Sequence, residues 1–292
     1  LYGTVGNDKL TGLNYALFLQ LDKKFFDKLN LSVGGRLEHY EITSTKGETK
    51  PVFRAGLNYQ PAEYTYIRAS FGQGFRFPTI AEKFISTSLG TTAAIVPNTE
   101  LTSETGISAE IGFKQGIKVG KFNAFVDVAG FLTRYYNMME FNPNPRAVDT
   151  PYTVAFQSMN VGNTQILGIE TSIQGEGRIA NKFPTTLMIG YTYLVPKYLD
   201  WEGEAELTSE TDYNVLRYRF RHMFTSAWDI NLRGFDLGVS ARYFSFMENI
   251  DPSFNIIIDR LREYRDSKLK DNWENLDPKK QHKGDFILDL RA

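Results

Sequence analysis

The sequence predicts an all-β fold: an antiparallel sheet forming part of a transmembrane β-barrel. Three observations carry that expectation. Apolar and polar residues alternate with period two in segment after segment, short and long links alternate, and aromatics gather at both ends of the apolar face. Successive side chains of a strand point to opposite sides of a sheet, so each segment separates two media. A protein core and a bilayer are the two candidates for the apolar medium.

Taken in order, the first strand sets Leu13, Tyr15, Leu17, Leu19 and Leu21 against Asn14, Gln20 and Asp22. The second sets Leu29, Leu31, Val33 and Leu37 against Asn30, Ser32, Arg36 and Glu38. Phe53, Ala55, Leu57 and Tyr59 then oppose Arg54 and Asn58, and Ile67, Ala69 and Phe71 oppose Tyr66, Arg68 and Ser70. Ile107, Ala109, Ile111 and Phe113 oppose Ser108, Glu110 and Lys114. Phe122, Ala124, Val126, Val128 and Leu132 oppose Asn123, Asp127 and Thr133. Leu167, Ile169 and Ile173 oppose Glu170, Ser172 and Gln174, and Leu187, Ile189, Tyr191 and Tyr193 follow. A ninth segment sets Tyr218, Phe220, Phe224, Trp228 and Ile230 against Arg217, Arg219, Arg221 and Asp229. Phe235, Leu237, Val239 and Tyr243 oppose Asp236, Ser240 and Arg242, and a last strand begins at Phe286, Leu288 and Leu290.

The links are read as short at 22–28, 60–63, 115–120, 175–182 and 233–234, and as long at 41–50, 73–103, 137–152, 196–214 and 247–285. One end of the sheet thus carries tight turns and the other large loops, the asymmetry of outer-membrane barrels, which a soluble Greek-key sandwich has no reason to keep. On the apolar face, Tyr191, Tyr193, Tyr218 and Tyr243 are assigned to the long-loop end, and Tyr59, Phe113, Phe122, Trp228 and Phe235 to the short-turn end. Two such belts suit amphipathic rings at two membrane interfaces. The opposite face, with Arg36, Arg54, Arg68 and Arg242 beside Glu38, Glu110, Asp127 and Glu170, suits a polar lumen.

Composition narrows the function classes. The net charge of −1 gives no electrostatic case for nucleic acid, and the absence of cysteine removes disulfide, thiolate-metal and cysteine-nucleophile chemistry. No stretch approaches the roughly 20 apolar residues of a membrane helix, whereas barrel strands need only ~9–11 alternating residues. No secretion signal opens the sequence as given. There is no G-x-S-x-G and no H-E-x-x-H. His39 and His222 fall on the lipid-facing register and His282 in a loop, so a lumen-side catalytic constellation has no histidine; an outer-membrane lipase working from the lipid side is the remaining enzymatic reading.

Three blocks carry a family resemblance. Gly74-Phe75-Arg76-Phe77-Pro78-Thr79-Ile80-Ala81-Glu82 resembles the G-F-R-x-P-[TS]-x-x-E segment of TonB-dependent outer-membrane receptors. Pro97-Asn98-Thr99-Glu100-Leu101-Thr102-Ser103-Glu104-Thr105 resembles their N-P-x-L-x-P-E-T block, with Thr99 and Ser103 where the family often has proline. Asn160-Val161-Gly162 with Gly168-Ile169-Glu170 resembles their N-x-G and G-x-E pair. The resemblance implies residues 1–292 as part of one barrel domain, about half of a barrel of about 22 strands, with the plug and last strands outside this sequence. It implies active uptake of a scarce nutrient (siderophore, cobalamin, haem, glycan or peptide), driven by the TonB energy complex through the plug, at the bacterial outer membrane. A surface lipoprotein partner is compatible with it, and it implies no covalent chemistry and no cofactor. A passive porin and a structural surface barrel are the alternatives.

The candidate site residues follow. Arg76 stands at a strand end with Glu82 and Glu104 as partners, as ligand contact, plug contact or loop anchor. Arg217, Arg219 and Arg221 share one lumen-facing row, either to draw in an anionic substrate or to pair with Glu38, Glu110 or Glu170. Tyr135 and Tyr136, with Met138, Met139 and Phe141, offer a stacking surface for a flat ligand or ordinary rim aromatics. The loop from Arg76 to Pro97, where the resemblance implies a histidine in haem-type members, has none, which counts against a haem assignment. Ile257, Leu261, Tyr264 and Lys268 recur at helical spacing and predict a short amphipathic helix in the 254–273 stretch, or a disordered loop.

Overall fold

A computed structural model describes residues 3–4, 9–42, 45–89, 93–143, 154–202, 211–250 and 284–292. The 254–273 stretch lies outside them. The strands are β1 (Gly3–Thr4), β2 (Gly12–Phe25), β3 (Leu29–Ile42), β4 (Glu48–Ala62), β5 (Thr65–Arg76), β6 (Ile85–Leu89), β7 (Ala93–Ile95) and β8 (Glu104–Val119). They continue as β9 (Phe122–Tyr136), β10 (Met139–Pro143), β11 (Val154–Asn160), β12 (Thr164–Ile179), β13 (Phe183–Tyr198), β14 (His222–Leu232), β15 (Phe235–Phe244) and β16 (Asp285–Arg291). A short helix, α1 (Ile80–Phe84), precedes β6.

Eleven strands form one sheet in the order β16-β15-β14-β13-β12-β9-β8-β5-β4-β3-β2, and every neighbouring pair is antiparallel. Its two edges, β2 and β16, do not meet among the described residues. The register keeps the two faces apart across the width of the sheet. Leu21, Val33, Ala55, Phe71, Ala109, Leu132, Leu167 and Val195 form one ladder row. One residue along, the row on the other face reads Gln20, Gly34, Arg54, Gly72, Ser108 and Thr133 before Ile166 and Pro196. A slip of one residue would exchange these faces.

Among the described residues the apolar face has no second layer. Leu17 is 77% exposed and Ile111 66%, values that a sandwich core could not leave uncovered. The sheet is sheared as a barrel requires. A ladder row that starts at Phe25 and Leu29, beside the turn at 26–28, ends at Tyr243 and Phe286 on the long-loop side. The short turns are tight and left-handed. Phe26 and Asp27 have φ of 50° and 54°, Ala180 and Asn181 of 50° and 60°, and Arg233 and Gly234 of 57° and 101°. Paired positive φ values match the right-handed twist of the flanking strands.

Three sequence expectations change. The 41–50 link shrinks to 43–47, because β3 and β4 continue pairing to Tyr40 and Glu48. The ninth strand starts only at His222, since Tyr218 is left-handed (φ 57°) and its amide donates to Asn249 O at 3.0 Å. Tyr218 therefore leaves the aromatic belt, while Phe113 and Tyr191 sit near the middle of β8 and β13 rather than at their ends.

Candidate functional site at the long-loop end

The links 77–103 and 137–163 are not separate loops. They supply β6, β7, β10 and β11, which join β1 in a five-stranded sheet ordered β1-β6-β7-β11-β10, with β7 parallel to β11. The three motif blocks are bonded to one another and to strands of this sheet. Helix α1 opens with Thr79 as N-cap in a capping box: its hydroxyl accepts from the Glu82 amide at 3.2 Å, and the Thr79 amide donates to Glu82 Oε2 at 2.8 Å. Arg76, the last residue of β5, reaches the other Glu82 oxygen at 2.5 Å. Its second nitrogen lies 3.9 Å from Glu104 Oε2 and donates to Met139 O at 3.5 Å. Glu104 Oε2 also accepts from the Met139 amide at 2.7 Å. One guanidinium thus ties strand wall, helix and second loop together, as a planar five-donor fork can. Burial alone would raise the Glu82 carboxyl; the Thr79 amide, the Arg76 guanidinium and the Thr79 hydroxyl outweigh it and hold Glu82 below the usual carboxylate range.

The second and third blocks are stapled by asparagines. Asn160 accepts from the Thr102 amide at 3.0 Å and donates to Thr102 O at 3.1 Å and to Asn137 O at 2.7 Å. Asn98 donates through its side chain to Ser158 O at 2.8 Å and through its amide to Lys83 O at 2.9 Å. Gly162 of the N-x-G element has φ 95°, and its carbonyl accepts from the Met138 amide at 2.9 Å, a backbone turn that favours glycine. The sequence offered the block residues but not these partners; the signal for Asn98 and Asn160 was their presence in the motifs, with no indication of what each would bond.

The aromatic and sulfur residues divide. Met138 and Met139 are buried, so they offer no stacking surface: Met138 packs with Tyr198 and Leu216, against which Tyr135 and Trp201 also lie. Tyr136 and Phe141 remain exposed, and Phe141 stacks on Phe156 with centroids 5.8 Å apart. Arg76, Glu104 and Tyr135 border one open groove of about 370 Å³.

The strand-borne arginine row expected at 217–221 does not form: Arg217 and Tyr218 lie in a turn, Phe220 makes only an isolated bridge with Met247, and β14 begins at His222. Arg217 is buried, Arg219 donates to Tyr218 O at 3.2 Å, and Arg221 pairs with Glu248, not with Glu38, Glu110 or Glu170. Glu248, which sequence reasoning missed, also accepts from Tyr213 at 2.9 Å. Burial, then this carboxylate, pushes the Tyr213 phenol up.

The lumen wall below is built from paired charges. Arg68 donates to Glu110 at 2.8 Å and to Asp127 at 2.7 Å, Arg36 meets Glu38 at 2.5 Å, and Arg242 meets Asp289 at 3.4 Å. On the other face, His39 stacks on Tyr15 at 5.0 Å and His222 bonds the Tyr191 hydroxyl at 2.8 Å.

A lipid-facing wall, a charge-paired inner wall and loops knitted over one end define a bacterial outer-membrane receptor barrel. The chain belongs to the TonB-dependent receptors: it matches the family described as TonB dependent receptor-like, beta-barrel over residues 1–292. Among curated relatives, hemoglobin-haptoglobin-binding protein A of Haemophilus influenzae is 26% identical over 162 residues, 53% of this chain and 15% of that protein. A probable hemoglobin and hemoglobin-haptoglobin-binding protein 3 of the same species is 27% identical over 122 residues, 40% of this chain and 11% of that protein. The matched stretches therefore span less than a fifth of the length of these relatives. Among solved structures, the Serratia marcescens hemophore receptor HasR, in complex with its hemophore HasA and heme, matches with TM-score 0.62 and 15% identity, covering 82% of this chain and 45% of that one. The FrpB iron transporter from Neisseria meningitidis matches with TM-score 0.56 and 18% identity, covering 81% and 34%. At these identities the structural likeness speaks to the fold. The family and these neighbours are receptors and transporters, not enzymes.

Proposed function

We propose that this chain is part of an importer that takes up haem iron from a haem-carrying protein, energised through TonB. The observation that supports the import reading is the bonding of the three motif blocks to one another and to the strands of the five-stranded loop sheet, which makes the long links at that end one ordered body. The substrate class is supported by the two Haemophilus relatives, whose names say that they bind haemoglobin and its haptoglobin complex. The stretch from Arg76 to Pro97 has no histidine, so in this reading it does not supply an imidazole ligand to haem iron. A surface lipoprotein would be an accessory in this reading, not a requirement.

The test is growth of the source bacterium on haemoglobin as sole iron source, with the full-length gene deleted or with TonB inactivated. Growth should stop in both strains and return on complementation. Growth without TonB but not without the gene would make the protein a passive channel. Loss of growth on ferric siderophores with haemoglobin use intact would overturn the substrate class.

A further inference from the structure

The short-turn end carries a repeat that import does not use. In the β8–β9 hairpin, Lys121 in the turn precedes Phe122; in the β12–β13 hairpin, Lys182 precedes Phe183; in the β14–β15 hairpin, Arg233 stands two residues before Phe235. The β2–β3 turn repeats the pairing with Phe26 and Lys28. All four cations are exposed, and the rings of Phe26 and Phe235 are 91% and 76% exposed. Phe122, Phe183 and Phe235 pair in register with Val119, Ile179 and Leu232, which places the rings on the apolar face at its lowest row.

The three later hairpins are consecutive in the sheet, so Lys121, Lys182 and Arg233 follow one another along an arc in steps of about 10 Å, twice the strand spacing. The acids near the turns are Asp27, paired with Lys24 at 3.2 Å, Glu63 on the turn that lacks a cation, Asp236 and Glu176. Asp236 lies on the opposite face from Phe235 and accepts from Asn231 at 2.6 Å, and Glu176 borders one groove with Lys121 and Arg178. A ring at the membrane interface with a cation just beyond it is the arrangement that holds a phosphate headgroup: the ring rests at headgroup level and the cation meets the phosphate.

From this repeat we infer that the short-turn collar, centred on Lys121, Lys182 and Arg233, binds anionic phospholipid headgroups of the leaflet on that side. The lipid is selected by net negative charge, so phosphatidylglycerol is retained over phosphatidylethanolamine. Neither the plug nor the nutrient enters the argument, and the inference stands whether or not the imported ligand is haem.

The experiment takes the full-length protein from nanodiscs of equal phosphatidylethanolamine and phosphatidylglycerol into mild detergent and counts retained lipids by native mass spectrometry. Wild type should keep phosphatidylglycerol preferentially. The K121Q/K182Q/R233Q variant should lose at least about fivefold of that preference, the effect expected of one surface cation, while K9Q/K197Q at the other end leaves it unchanged. Equal retention of both lipids by wild type, or an undiminished preference in the triple variant, would overturn the proposal. Displacement of the lipid by millimolar inorganic phosphate would also overturn it, since the site would then read phosphate alone. Should the triple variant fail to assemble, wild type decides: the preference must fall as salt rises, and a salt-insensitive one sinks the idea.

Discussion

At the scale of single residues, the lumen wall depends on where side chains are absent. Arg68 lies across Gly112, where a Cβ would stand 2.5 Å from the guanidinium carbon; the missing side chain lets the arginine reach both Glu110 and Asp127. Gly168 has the same relation to a stiffer neighbour. A Cβ there would lie 2.3 Å from Phe131 Cζ and 2.9 Å from Leu194 Cδ2. Neither ring nor branched side chain can yield as a flexible tip does. Gly168→Ala should therefore destabilise the folded barrel by about 1–3 kcal/mol through overpacking, read as a lower denaturant midpoint in detergent; an unchanged midpoint would refute the packing account. Gly56 and Gly72 have nothing within 4 Å of the same added atom, so alanine there should be tolerated.

At the scale of elements, Arg76 determines whether two long links behave as one body. Its fork joins β5 to α1 through Glu82 and to β10 through Met139, while Asn98, through Ser158, and Asn160, through Thr102, hold the links to each other. Because the folded pKa of Glu82 is depressed, its contribution is complete above the unfolded carboxylate value of about 4.3 and is lost as pH falls through the lower folded value. Amide exchange in α1, corrected for intrinsic rates, should stay slow from neutral pH to the ordinary carboxylate range and accelerate only below it. Arg76→Lys keeps the charge but not the fork, and should speed α1 exchange at neutral pH. If lysine fully preserves protection, a point charge suffices and the anchoring argument fails.

At the scale of the whole molecule, the two faces assign two solvents. Ile111 is 66% exposed near the middle of β8, on the apolar face, and Ser108 lies on the other face. Ile111→Arg should cost about 2–4 kcal/mol in a bilayer, whereas Ser108→Arg should cost far less. Folding titrations in lipid vesicles check the pair, and equal costs would show the faces to be misassigned.

The alternation and the Arg76–Glu82 pair were readable from residues alone, because period-two patterning and local capping depend on neighbours close in sequence; Glu104, far along the chain, was named through its place in the second motif block. The course of residues 217–221 was not. Alternating Arg217, Tyr218, Arg219, Phe220 and Arg221 satisfy the strand pattern, yet Asn249, distant in sequence, takes the Tyr218 amide and turns the chain aside. Likewise Met138 and Met139 read as a rim surface until Tyr198 and Leu216 arrive over Met138 from other strands and links. The sequence by itself determined which faces meet lipid and where the tight turns fall, since those follow from side-chain period and backbone sterics. Only the tertiary structure decided how the long links pair with one another, because those hydrogen bonds join residues tens of positions apart and leave no periodic trace.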